Sequence, residues 1–278
     1  MKTIALAVLL ACGVSAQAEP GAMTGKFALQ GDTAKTNGYL KLTPIGGNPL
    51  KEHMDIWMTE PNSSVAIKNY LVEMTKKVHV VIVSDDFKTF LHVHPTLNAN
   101  GHFLLDQPFP AAGNYQIYAD GEPNNLNHQV FRFEVTIGPK PMPATPVITP
   151  TGLGVTVGPY EVDLSSLKLR AGNVDMIDVE ILKDGKPAKD LHPYLGAPAH
   201  AVFLNQKDLS YVHVHPMAMD MMEMDMSKPM PDMPDSAAVA NEMMLHIGLR
   251  EPGTYKMWLQ FRGAGDKLYV AEFTIVAS

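Results

Sequence analysis

"KVHVVIVSDDFKTFLHVHP", Lys77–Pro95, decides the fold. Two runs rich in β-branched and aromatic residues, "VHVVIVS" and "KTFLHVH", flank an acidic turn signal at "SDDF", which is the pattern of a β-hairpin. A two-residue loop at Asp85 and Asp86 would pair Ser84 with Phe87 and set His79 opposite His92. His94, two residues beyond His92, projects to the same face. Three imidazoles so placed can converge on one ion through bonds of about 2 Å. The proline after His94 biases it toward extended backbone and ends the ladder, which predicts a triad near the domain rim.

The stretch "HAVFLNQKDLSYVHVHP", His200–Pro216, repeats this arrangement. His200, His213 and His215 have the spacing of His79, His92 and His94, although the turn residues have changed completely. Each triplet is followed by a Gly-x-Tyr strand start, "GNYQIYA" from Gly113 and "GTYKMWL" from Gly253. A duplicated domain explains both. An isolated His-x-His-Pro ordinarily reads as packed histidines satisfied by backbone carbonyls. Two triplets at one spacing shift the reading to metal ligation, with His79, His92 and His94 as one site and His200, His213 and His215 as a second.

Working outward, "GPKPMPATPVITP", Gly138–Pro150, carries five prolines in thirteen residues, too many for a helix or central strand. It separates residues 19–138 from 151–278, with the linker over 139–150. Short β-like runs such as "HMDIWMT", "QVFRFEVTI", "VDMIDVEIL" and "YVAEFTIV" fill both halves; only Ser236–Met243 suggests a short helical turn. The predicted fold class is all-β: two tandem immunoglobulin-like or cupredoxin-like β-sandwich domains joined by a proline-rich linker.

At 278 residues with 46% hydrophobic content, the chain has material for two cores. Its net charge of -7 is not gathered into basic patches, which argues against nucleic acid as a partner. Residues 1–18 read as a cleaved signal peptide, with Lys2, an apolar run from Ile4 to Ala11, and an A-x-A site at Ala16 and Ala18. No later run is long enough for a membrane span. The expected location is periplasmic or secreted. The only cysteine, Cys12, lies inside this leader; lipidation there is the minority alternative. Cleavage would remove the last thiol, leaving methionine as the soft metal ligand.

The second copy carries a methionine-rich insertion over 217–235, with eight of the chain's eighteen methionines. Met217, Met219, Met221, Met222, Met224 and Met226 offer M-x-M and M-x-x-M pairs, whose thioethers favour Cu(I). Asp220, Glu223 and Asp225 add charge that attracts cations. The prolines at 229, 231 and 234 exclude an uninterrupted helical stripe. A plain reading of the segment is an adaptable loop or an oxidation sink. His53, His102, His128, His192 and His246 do not repeat between copies and read as surface or rim residues.

"KKVHVVIVSDDFKTFLHVHP" followed by "PAAGNYQIYAD" resembles bacterial secreted or periplasmic β-sandwich proteins with a His…His-x-His-Pro pattern, linked to copper and heavy-metal resistance. The likeness spans about sixty residues in the first copy and, more loosely, as many in the second. It implies metal handling, with no assigned activity to transfer. The cysteine ligand of electron-transfer cupredoxins is missing, which opposes blue-copper chemistry.

Three functions follow as expectations. The first is a metal-binding protein that buffers or delivers copper, as Cu(I) or Cu(II), with zinc as a possible ligand ion. Its partners would be the ion and a periplasmic efflux or copper-receiving protein, and its affinity should weaken below about pH 6 as imidazole protonates. The second is a tri-histidine zinc-dependent hydrolase or hydratase. The third is a metal-free structural or interaction sandwich.

Overall fold

Strand alternation builds two sheets in each half of the chain. The computed structural model describes residues 19–29, 31–139, 148–218 and 232–278. The leader with Cys12, linker residues 140–147, and Met219, Met221, Met222, Met224 and Met226 lie outside the described residues.

In the first domain one five-stranded sheet is centred on Asn37–Ile45 and Asn48–Thr59 and reaches Phe103–Pro108. The other runs Lys26–Phe27, Gln129–Ile137, Gly113–Gly121, Val78–Ser84, Phe90–Val93. The second domain repeats the plan. Its outer sheet is built on Tyr160–Leu164, Val174–Lys183 and Glu242–Gly248, and its inner one on Lys267–Ala277, Gly253–Gly263, His200–Asn205 and Tyr211–Val214. Two tandem β-sandwiches of the immunoglobulin-like type are the fold. Each carries a tyrosine corner: the Tyr115 hydroxyl donates to Ala111 O at 2.8 Å, and that of Tyr255 to Glu251 O at 2.7 Å. Ser236–Met243 is not helical; its end enters the Glu242–Gly248 strand.

The strand Val78–Ser84 is buried at every position. Val78, Val80 and Ile82 fill the first domain's own core, so the alternate residues His79, Val81 and Val83 must point out of the sandwich. They are covered by the second domain. Val81, Val83, Phe87, Tyr118 and Val130 form one apolar cluster with Val202, Leu204, Tyr211 and Trp258. The interface keeps the symmetry of the repeat: Phe90 stacks on Trp258 with centroids 5.0 Å apart, and its counterpart Tyr211 stacks on Tyr118 at 4.9 Å.

Both hairpins differ from the expected register. Val81 pairs with His92 and Val202 with His213, so continuing the ladders sets His79 against His94 and His200 against His215. The loops hold four residues rather than two, closed by Ser84 N donating to Thr89 O and Asn205 N to Ser210 O, each at 3.1 Å. The cause is apolar: Phe87, at φ 61, and Leu209, at φ 59, turn into the interdomain cluster, and a tight turn has no room for that. The slip of two residues preserves the facing of every side chain.

Candidate metal centre

Because both triads lie on the faces that pack together, the structure brings them side by side in one histidine cluster between the domains instead of at two separate rims. His79, His92 and His200 are 3%, 7% and 1% exposed. Across the interface His92 lies 5.2 Å from His200 and 5.1 Å from His213, ring centre to ring centre. His79 lies 5.3 Å from His213. One ring nitrogen from each of His79, His92, His200 and His213 falls within 4.8 Å of the others, a group that could hold a metal ion.

The first triad forms a closed triangle. Nδ1 of His79, Nε2 of His92 and Nε2 of His94 are 3.1, 3.2 and 3.2 Å apart. An ion about 2.05 Å from all three would subtend N–metal–N angles of about 100°, a little below the tetrahedral value. The outer nitrogens fix the tautomers. His79 Nε2 donates to Glu73 O at 3.1 Å, and His92 Nδ1 donates to Gln260 Oε1 at 3.1 Å. Their inward nitrogens therefore carry lone pairs, which repel at this separation without a shared cation or proton. Tying the outer nitrogen to an oxygen is the usual support of a ligating imidazole.

The second triad repeats the scheme with one change. His200 Nε2 donates to Tyr194 O at 2.9 Å and its Nδ1 faces His213 Nε2 at 3.2 Å. Both carbonyls belong to tight turns at equivalent places, with Met74 and Thr75 at φ 45 and 66 and Leu195 and Gly196 at φ 51 and 80. Such φ values suit glycine, and Thr75 is held there at a cost of order 1–3 kcal/mol. Behind His213 stands Asp120, 3.7 Å from Nδ1, where the repeat puts Gln260 behind His92. Nε2 of His215 is buried without a hydrogen-bond partner among the described residues.

Asp120 anchors a charged group. Its carboxylate meets His128 Nδ1 at 3.1 Å, while His128 Nε2 lies 3.1 Å from Glu73 and 3.3 Å from Glu122. Burial works against the His128 cation, but its hydrogen bonds to Asp120 and Glu73 push the ring up to about 11. Burial alone would raise Asp120; its hydrogen bond with His128 and the nearby His213 ring hold it well below the usual carboxylate range. The histidine centre is shifted the other way. Burial, then the neighbouring rings, push His79 down to about 4 and His94 to about 3, and hold His92, His200 and His215 well below ordinary histidine. Protons therefore compete at these nitrogens at lower pH than the value near 6 expected of exposed imidazole. A cavity of about 240 Å³ opens onto this group and is lined by Glu73, Asp120, His128, His213 and His215, among others.

Of the methionines, Met217 is buried and pairs with Met244 in the outer sheet, two residues past His215. Of the other histidines, exposed His53 pairs with Asp106 at 2.7 Å, and His102 bonds to Asp55 and stacks on Trp57. His128, read as a rim residue, belongs to the centre's surroundings. Asp120 and Gln260 were also missed, although each lies seven residues past its Gly-x-Tyr glycine and so carried a repeat signal.

Fold and centre together define a tandem β-sandwich protein with a buried histidine cluster between its domains. The chain belongs to the family described as "Domain of unknown function (DUF8832)", whose model matches residues 47–138 and 155–278. No curated protein matches it. Among solved structures it is similar to a DUF3823 family protein from Bacteroides ovatus (11% identity over 77% of this chain and 93% of that one, TM-score 0.23). A two-domain fibronectin type III segment of chicken tenascin gives 11% identity, 84% and 94% coverage and a TM-score of 0.21. Salmonella alpha-2-macroglobulin gives 8%, 88% and 17%, with a TM-score of 0.27. No helix among the described residues is long and apolar enough to cross a membrane.

Proposed function

We propose that this chain is an exported, periplasmic metal-binding protein that holds copper at a centre shared by its two domains and buffers or delivers it. One observation carries the reading: four imidazoles packed between the domains each bring a ring nitrogen within 4.8 Å of the others, and the outer nitrogens of three donate to oxygen. Copper is favoured over zinc by the softness of the adjoining segment. Its described ends adjoin the second triad. Met217 follows His215 by two residues, and Met233 N donates at 2.7 Å to Gly196 O in the turn that holds His200. The resemblance to proteins of metal-resistance settings agrees with this choice. Metal analysis of the mature protein purified from copper-fed periplasm tests it. Stoichiometric copper that disappears in a His92→Ala, His213→Ala double variant is expected; metal-free protein whose melting ignores copper, zinc and chelator would favour a structural sandwich instead.

A second reading draws on the cavity. Glu73, Asp120 and His128 share its wall with His213 and His215, so acid–base groups stand beside candidate ligands, as a zinc-dependent hydrolase or hydratase requires. Ester hydrolysis or CO₂ hydration by zinc-loaded protein, lost in His213→Ala, would establish it; no turnover above the uncatalysed rate would remove it.

A further inference from the structure

We infer that the six histidines take two metal ions of unequal lability: a retained ion at His79, His92 and His94, and an exchangeable one at His200, His213 and His215. This rests on the metal-binding reading above and adds the number of ions and their division of labour.

The third member of each triad separates the sites. The His94 ring lies 5.0 Å from His79 and 4.6 Å from His92, both of its own domain. The His215 ring lies 4.5 Å from His200 and 4.7 Å from His213, again its own, against 6.3 Å from His79. Six nitrogens cannot all approach one ion to about 2.05 Å when the outer two stand with different partners. Each triad also has its own carbonyl acceptor, Glu73 O or Tyr194 O, so each set of three donors is complete within its own domain, and only the residue behind the middle histidine comes from the other one.

Access and charge make the two unequal. The first triangle is already closed, with all three edges at 3.1–3.2 Å, and the neutral amide of Gln260 stands behind it. The second triad is open: Nε2 of His215 has no hydrogen-bond partner among the described residues, and His213 and His215 line the cavity with Asp120 and Glu73. Three carboxylates, Glu73, Asp120 and Glu122, surround His128, and even with Arg250 on the same cavity wall this side stays net negative, which draws a cation in and offsets the charge of a second ion near the first. The ion that enters and leaves through the cavity is therefore the one at the second triad.

The full mature chain is loaded with Cu(I) without oxygen, desalted and counted, and its copper is then followed into excess bicinchoninate. Two ions per chain released in two phases, at rates at least tenfold apart, are expected. His215→Ala should bind one ion and show the slow phase alone, and His94→Ala should lose the slow phase. Circular dichroism checks that both variants fold, and the wild-type phases stand without them. One ion per chain, lost equally in either variant, means a shared site and overturns the inference while leaving the metal-binding reading intact. Two ions leaving in a single phase also overturn it. No bound copper overturns both.

Discussion

Behind the two middle histidines stand different residues at one repeat position: Gln260 behind His92 and Asp120 behind His213. Spacing, hairpin and carbonyl acceptor are the same in both copies, so the histidines were retained while their support diverged. An amide can only orient a ring. A carboxylate also places negative charge beside it and recruits His128, Glu73 and Glu122. The duplication thus gives two matching histidine sets, and the residues around them leave one a closed triangle of nitrogens and make the other the wall of a cavity.

The equivalence of the halves breaks most visibly in the aromatic stacks. Trp258 is fully buried, stacked on Phe90 and edge-on to Phe87. Trp258→Ala should lower stability by about 3–5 kcal/mol in urea denaturation. Tyr118→Phe, at the equivalent place in the other stack, removes only the hydroxyl bond to Leu209 O and should cost about 1 kcal/mol. Similar losses from the two variants would contradict the packing described.

Acid should come next in size. His79 is held near 4 in the folded chain, whereas the unfolded chain takes up its proton near 6.5. The unfolded state thus binds more protons between these values, and stability of the metal-free protein falls as pH drops from about 6.5 toward about 4, by roughly 3 kcal/mol from His79 alone. Thermal melts in chelator across this range check it; a flat profile would mean the rings are not buried neutral.

The asymmetry of support can be probed directly. Asp120→Asn should weaken copper at the second triad about 10–100-fold and spare the first, and Gln260→Leu should do the converse. Chelator competition reads both, and equal effects of each variant on both triads would erase the distinction. The smallest effect is expected at His53, whose exposed pair with Asp106 should contribute no more than about 0.5 kcal/mol; His53→Ala in the same denaturation series is the baseline.

The sequence made the sandwiches and both triads legible because period-two alternation and fixed spacing are local signals. His79, His92 and His94 share a face whichever even register the hairpin adopts, so the error in loop length did no harm to the ligand set. What escaped was everything decided across the interface. Val78–Ser84 is apolar on both faces, which marks a doubly covered strand without naming the cover. Phe87, expected to pair with Ser84, lies instead in the loop, as Leu209 does in the second copy, because the other domain gives both a place to bury. Asp120 and His128 matter only because the second hairpin arrives beside them.

The central claim is that the histidine triads of both domains, packed together between the sandwiches, ligate copper, and X-ray absorption at the copper edge of the loaded chain tests it most directly. The account predicts about three imidazole nitrogens at about 2.0 Å per copper, with the nitrogen signal reduced by His92→Ala and by His213→Ala alike. A shell of sulfur or of oxygen alone, indifferent to both substitutions, would contradict it.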